Sequence, residues 1–317
     1  MEHKKMTGHI AVLGANIIFG LNTSVSRTLI PNEINPYLLT FIRMTGAMLL
    51  FWIVSLFIAR EHVPVKDILL LFLASVFGVI LNQIPFIAGL SLTSPIDASI
   101  VITLLPIMSM FLAAVILKEP VTFKKILGVV IGASGALLLI FSHKNLHTGN
   151  GNMVGNLMIL FSVFSYSLYL SLFKKLISRY SPVTIMKWMF LFATVVAYPF
   201  CRKAVLQTDY SSLGTDVYLR IAYVVIFATF IAYLLIPIGQ KALRPTTFSM
   251  YNYLQPVVAS LIAVLLGMDV FGIEKILSGI LVFAGVYFVT RSKSRAQIEM
   301  EKSSKQSSEA INTQNTQ

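Results

Sequence analysis

An all-α integral membrane protein with ten transmembrane helices, arranged as two inverted five-helix repeats, is the fold class that this sequence predicts. Three observations carry the prediction. Of 317 residues, 56% are apolar and only 12% charged, with a mean hydropathy of +0.79, which is more apolar surface than a soluble core of this length can hide. Apolar runs of roughly 18 to 23 residues recur between short polar breaks, long enough to cross a hydrocarbon layer of ~30 Å at ~1.5 Å per residue. Residues 77–136 recur as 227–286, and an ungapped shift of 150 positions makes 11 of 60 residues coincide. The pairs Pro95/Pro245, Pro106/Pro256, Gly89/Gly239 and Gly135/Gly285, with the acidic pair Glu119/Asp269, set this apart from the chance agreement of two Leu/Ile/Val-rich segments.

In chain order the apolar pattern predicts spans at 8–29, 36–59, 67–90, 95–117, 124–142, 154–173, 183–201, 217–238, 246–267 and 274–291. The breaks are turn-like: PNEINP at 31–36, REHVPVKD at 60–67, KEPVTFKK at 118–125 and HKNLHTGNGN at 143–152. Residues 292–317, rich in Ser, Gln, Lys and Glu, read as a disordered cytoplasmic tail. The N-terminal MEHKKMTGH runs into the first apolar stretch without a small-residue cleavage site, so that span is expected to be retained, and the single Cys201 leaves no disulfide framework.

The net charge of +12 is a topology signal and calls for no nucleic acid, because many of the cations lie in short connections. With the N-terminus inside, 17 Lys and Arg residues fall on the inner side and 6 on the outer, leaving Arg43 and Lys187 within spans. Both termini are therefore expected in the cytoplasm, the chain being a multi-pass protein of the cytoplasmic membrane. Five helices per half is an odd number, so the second half enters the bilayer in the opposite sense. Gly8 answers Gly155 at an offset of 147, and Asn35-Pro36 answers Ser181-Pro182 at 146. The expected organisation is one repeat over 1–142, a connecting loop at 143–153, a second repeat over 154–291, and the tail at 292–317. Two copies of one conformational preference facing opposite sides give two states of similar energy, the basis of alternating access.

Polar side chains within the spans are costly unless they meet a partner or a wet cavity. Asn16, Asn22, Asn82, Gln83, Thr103, Asn252 and Gln255, with Tyr166, Tyr169 and Tyr251, are the candidate lining of a central substrate cavity. Interhelical hydrogen bonding that holds the bundle is the alternative for each. Pro106 and Pro256 near the centres of the fourth and ninth spans each remove a backbone hydrogen bond, freeing the carbonyls of Ile102 and Asn252, and mark a bend or hinge. Arg43 can receive a carboxylate or snorkel, whereas Lys187, five residues beyond Pro182, reads as the snorkelling case. Gly128, Gly132 and Gly135 form a close-packing stripe within the fold or a dimer face, leaving a homodimer open. Glu119 and Asp269 read as charges at span ends, and Asp97 as a helix-dipole partner. His143 and His147 are four apart but lie in a Gly/Asn-rich loop with no carboxylate or Cys nearby, so no metal is expected. Without a Walker loop, HExxH or Ser/His/Asp set, neither an enzyme nor a cofactor is predicted.

The stretch AGLSLTSPIDASIVITLLP ending at Pro106, then Glu119, Gly128, Gly132 and Gly135, and in the second half Pro256, Asp269, Gly279 and Gly285, resemble the EamA-type family of the drug/metabolite transporter superfamily over about residues 8–291. Arg43 falls where family members commonly carry arginine, while Phe19 and Tyr166 stand where the family often has Trp. The resemblance implies ten helices in two inverted units and a secondary transporter, with a small polar metabolite such as an amino acid or related compound as substrate and export as the commoner direction. A membrane scaffold or sensor, and a channel, are the alternatives.

Overall fold

The structure, a computed structural model, describes residues 2–30, 33–93, 95–142, 153–265, 272–293, 297–300 and 303–304. His143, His147, Asp269 and most of the 292–317 tail lie outside the described residues, as does the side chain of Asp97. No strand occurs among the described residues. The helices are α1 (Glu2–Leu29), α2 (Pro36–Ser55), α3 (Val65–Ser75), α4 (Leu81–Leu92), α5 (Pro95–Ile102), α6 (Leu105–Ile116), α7 (Phe123–Ser142) and α8 (Met153–Leu172). They continue with α9 (Lys174–Ile177), α10 (Pro182–Gln207), α11 (Thr215–Val225), α12 (Ala232–Ala242), α13 (Pro245–Met250), α14 (Leu254–Leu265) and α15 (Ile273–Thr290). Among the described residues six helical stretches are long and apolar enough to cross a membrane: Pro36–Ser55, Val65–Leu90, Met153–Leu172, Pro182–Gln207, Thr215–Ala242 and Ile273–Thr290.

The register of the internal repeat reappears in the backbone. α3, α5 and α7 begin at residues 65, 95 and 123, and α11, α13 and α15 at 215, 245 and 273, each 150 residues on. Two of the expected spans hold a π-helical turn at matching places, Val76–Ile80 joining α3 to α4 and Ile226–Ile231 joining α11 to α12. α2 and α10 start alike. Asn35 accepts from the Tyr37 amide at 2.9 Å and Ser181 from the Thr184 amide at 3.2 Å, each followed by proline at the first helical position.

The fourth and ninth expected spans are broken. α5 ends at Ile102 and α6 begins at Leu105, while a 3₁₀ turn at Tyr251–Tyr253 separates α13 from α14. Pro106 and Pro256 thus stand in the first turn of α6 and α14 rather than inside one continuous helix, where a missing N–H leaves no helical bond unmade. The prolines that do interrupt helices are Pro85 in α4, Pro199 in α10 and Pro237 in α12.

Packing exchanges elements between the halves. α1 lies along α12 and α14, α8 along α4 and α6, α2 along α10, and α7 along α15. Small residues permit the closest approaches. A Cβ on Gly155 would stand 3.0 Å from Leu92 Cβ and one on Gly285 would stand 2.6 Å from the Gly128 carbonyl oxygen, so these helices meet almost backbone to backbone. The glycine stripe of α7 is consumed by this contact inside the fold, Gly135 facing Ser278 and Gly132 facing Met250 and Tyr253. The core closes over aromatic groups from α2, α10 and the second π turn, with Phe51 stacked on Phe190 at 5.7 Å and Phe230 at 4.7 Å from Phe51.

Candidate functional site

Two polar clusters occupy the middle of the bundle. The first gathers about the two π turns. Gln83 on α4 donates through Nε2 to Tyr233 Oη on α12 at 3.0 Å. Tyr233 is edge-on to Phe190 at 5.0 Å and to Phe19 at 6.0 Å. Arg43 on α2 donates through Nε to Thr229 Oγ1 at 3.0 Å, and that hydroxyl, within the second π turn, donates at 2.9 Å to the Val224 carbonyl. In the other π turn Ser165 Oγ donates to the Phe77 carbonyl at 2.8 Å. A Cβ at Gly78 would stand 2.8 Å from the Tyr169 ring, so glycine there admits the tyrosine. Tyr169 donates to Gln240 Oε1 at 3.1 Å and stacks on Tyr166 at 5.7 Å.

The second cluster lies where α1 meets the 3₁₀ break. Gln255 Nε2 donates to Asn16 Oδ1 at 2.8 Å and to Asn252 Oδ1 at 2.9 Å, and Asn16 Nδ2 donates to its own helix at Val12. One turn before Val12, His9 Nδ1 and Tyr251 Oη are 2.6 Å apart. Tyr253 Oη donates at 2.8 Å to the Thr103 carbonyl, beside the break of the first half. Buried though it is, Asn252 Nδ2 has no partner among the described residues.

The sequence candidates thus divide. Arg43 and Gln83 join one cluster through second-half partners, and Tyr166 joins Tyr169 nearby. Asn16, Asn252, Gln255 and Tyr251 join the other cluster, and Thr103 meets it through its carbonyl. Asn82 is tied to α8, donating to Ser162 Oγ at 3.2 Å and accepting at its carbonyl from that hydroxyl at 2.6 Å. Among the described residues Asn22 accepts from Ser26, one turn along its own helix, at 3.2 Å, and from no other. Lys187 lies over the Trp52 ring at 5.3 Å. Residues that the sequence reading passed over are His9, Thr229, Tyr233 and Gln240. Tyr233 was within reach of it, standing 150 residues after Gln83.

Charged contacts gather the connections at one end. Glu61 accepts from the Ser181 amide at 2.9 Å, Arg179 lies 3.3 Å from Asp67, and Lys241 donates to the Tyr180 carbonyl. Lys174 donates to the Leu243 carbonyl, Arg244 to the Ser292 carbonyl at 2.8 Å, and Lys125 pairs with Glu119 at 2.9 Å. Lys118, with φ of 52°, closes α6 in the left-handed region and lets the Glu119 amide reach Ala113. Burial pulls the Lys174 ammonium down to about 8, against the opposing pull of Glu119. Burial raises the Glu61 carboxyl, but hydrogen bonds from Thr184 and Ser181 outweigh it and hold the group below its ordinary value. The other set of connections is represented by Glu33 and Arg220, 3.0 Å apart.

The EamA-like transporter family profile matches residues 6–141 and again 153–291. The chain belongs to that family. An uncharacterized transporter of Archaeoglobus fulgidus is 26% identical over 82% of this chain and 90% of its own length. A WAT1-related protein of Arabidopsis thaliana is 23% identical over 93% and 87%. A solved crystal structure superposes with a TM-score of 0.73, at 18% identity, covering 91% of this chain and 97% of its own, and shows the common fold. As an EamA-like protein with these apolar helices, the chain is a multi-pass membrane transporter.

Proposed function

We propose that this EamA-like transporter is a secondary carrier that moves a small polar metabolite, an amino acid or related compound, out across the cytoplasmic membrane by alternating access. Residues 1–142 and 154–291 form two inverted five-helix units, joined by 143–153, and 292–317 is a cytoplasmic tail. One observation carries the reading: contacts between the halves are reciprocal at the repeat spacing. Gly128 approaches Gly285 while Gly135 approaches Ser278, so each partner's counterpart, 150 residues away, makes the same contact in return. Gly155 meets Leu92 and Thr93 as Gly8 meets Ala242 and Leu243. Such reciprocity is the signature of a two-fold relation, and five spans per half turn it into an axis in the membrane plane.

The two polar clusters lie where the halves meet, the place a rocking motion keeps accessible from alternate sides. The connections tied by Glu61, Asp67, Glu119, Lys174, Lys241 and Arg244 belong to the cation-rich set, which the charge asymmetry assigns to the cytoplasm together with both termini. Their cross-links close that end. Substrate contacts are assigned to Asn16, Asn22, Arg43, Asn82, Gln83, Thr103, Tyr166, Tyr169, Tyr251, Asn252 and Gln255, and bending to the breaks beside Pro106 and Pro256.

Counterflow in proteoliposomes loaded with pooled amino acids and small metabolites tests the reading. Saturable, pool-dependent uptake is expected. Flux without saturation or counterflow would indicate a channel, and silence from folded, inserted protein a scaffold or sensor.

A further inference from the structure

A groove of about 360 Å³ opens on the side of the bundle between α3 and the end of α8, lined by Leu70, Leu73, Phe77 and Leu172 with Lys175 and Arg179. Two departures from straight helix border it: Phe77 stands in the first π turn and Phe173 in the break between α8 and α9, their rings 6.3 Å apart. Leu70, Leu73 and Leu172 are 39%, 39% and 47% exposed, so the groove is open sideways rather than sealed. From Leu70 to Phe77 it follows α3 for ~10 Å at ~1.5 Å per residue. The second repeat carries other chemistry on the corresponding face. There, 150 residues on, Arg220 and Tyr223 replace Leu70 and Leu73, Arg220 pairing with Glu33 and Tyr223 stacking on Phe227 at 5.3 Å. The apolar walls therefore belong to the first half and do not follow from the repeat.

The mouth of the groove is basic. Lys174 turns inward to the Leu243 carbonyl, whereas Lys175 and Arg179 are exposed and line the groove. Among the described residues Arg179 makes polar side-chain contact through Nη1 alone, to the Asp67 carboxylate at 3.3 Å, and Lys175 makes none. An exposed ion pair of this kind is weak, and Asp67 also accepts from Tyr180 Oη. Two cations against one carboxylate leave one net positive charge, the complement of one phosphodiester. A soluble anion would leave the apolar walls beneath it uncovered, and a zwitterionic lipid would bring its own cation against Lys175 and Arg179. With the cation-rich connections on the cytoplasmic side, as proposed above, the groove lies in the inner leaflet, and that orientation is all that is taken from the carrier reading. We propose that an anionic phospholipid of this leaflet occupies the groove, its phosphodiester on Lys175 and Arg179 and an acyl chain along Leu70, Leu73 and Leu172 to Phe77. Through Arg179 and Asp67 the headgroup joins the cross-links that close this end of the bundle.

The test is lipid binding to the purified chain in detergent, which depends on neither transport nor orientation. Phosphatidylglycerol, phosphatidylcholine with the same acyl chains, and glycerophosphoglycerol, the headgroup without chains, are titrated separately, and retained ligand is counted by native mass spectrometry. One phosphatidylglycerol is expected to be retained, with the other two binding at least about tenfold more weakly. Lys175→Gln and Arg179→Gln should each weaken it about fivefold, and together about thirtyfold. Leu73→Tyr, which installs the residue of the second repeat and fills the groove, should weaken it at least about tenfold with both cations in place. Lys124→Gln, which removes an exposed cation of the same side on α7, should change nothing. Equal retention of phosphatidylcholine or glycerophosphoglycerol overturns the proposal, as does undiminished binding in the double variant. An equal loss from Lys124→Gln overturns it as well, since it would show a general attraction to a cation-rich face. Self-association that Leu73→Tyr abolishes and phosphatidylglycerol does not displace would give the groove to a second copy of the chain and overturn it too. Should a variant fail to fold, the ranking of the three ligands on the wild type decides. The carrier reading stands or falls separately, on counterflow.

Discussion

Gln83 and Tyr233 are hydrogen-bonded at 3.0 Å and occupy the same position of the two repeats, 150 residues apart. In the proposed two-fold arrangement two equivalent residues would touch only on the axis that relates them, and Tyr253 with Thr103, also 150 apart and joined at 2.8 Å, would mark it a second time. The sequence breaks the symmetry there: where one half offers an amide the other offers a phenol. Removing the phenol strands the amide. Tyr233→Phe should destabilise the protein by about 1–3 kcal/mol through the unpaired Gln83. The double change Gln83→Leu with Tyr233→Phe should cost less than the two single changes added together. Thermal unfolding in detergent of the four proteins checks it, and strict additivity would show that the pair is not coupled.

The contact of α7 with α15 depends on absent side chains. At Gly285 a Cβ would stand 2.6 Å from both the Gly128 carbonyl oxygen and the Gly132 nitrogen, so Gly285→Ala should force the helices apart and cost about 1–3 kcal/mol. A Cβ at Gly279, on the same helix, would meet nothing nearer than Val257 at 3.9 Å among the described residues. There alanine should be neutral, or stabilise by up to about 1 kcal/mol through helix propensity. Equal effects at the two positions would contradict the packing.

How far the sequence speaks is visible in these same residues. The all-helical apolar class, six of the membrane-crossing stretches and the 150-residue spacing of helix starts were legible, since runs of grease and paired prolines and glycines survive in a single chain. The π turns were not: one extra residue per turn leaves an apolar run apolar, so 67–90 reads as plain helix although Val76–Ile80 is wound differently. Nor were the partners. Asn16 and Gln255 are 239 residues apart, and an amide in a span looks the same whether it faces a cavity or another amide. His9 escaped notice because a histidine in the first turns of a span resembles an interfacial one until Tyr251 is seen beside it.

Lys125 is fully buried and its carboxylate partner Glu119 is held in place by the left-handed turn at Lys118. Glu119→Gln keeps the shape and removes the charge, leaving a buried ammonium unbalanced. It should destabilise by about 3–5 kcal/mol, whereas replacing both residues, Glu119→Gln with Lys125→Met, should recover most of the loss. A double variant no more stable than the single one would mean that the pair matters for something other than charge balance.

Lys174 provides the pH dependence. Burial lowers its folded-state value from 10.5 to about 8, Glu119 opposing and Arg244 assisting the shift. Between about 8 and 10.5 the unfolded chain therefore holds a proton that the folded protein has released, and stability rises with pH wherever the unfolded state binds more protons. Below about 8 both states carry the charge, and the folded protein bears the full cost of burying it. The unfolding midpoint of the wild type in detergent should thus gain on that of Lys174→Met as the pH is raised through this window. Below it the methionine variant, free of the buried charge, should be the more stable of the two. The difference between the two profiles isolates this lysine from the tyrosines and the other lysines that also titrate in the alkaline range. A difference that stays flat from pH 7 to pH 10.5 would place the Lys174 ammonium in water rather than against the Leu243 carbonyl.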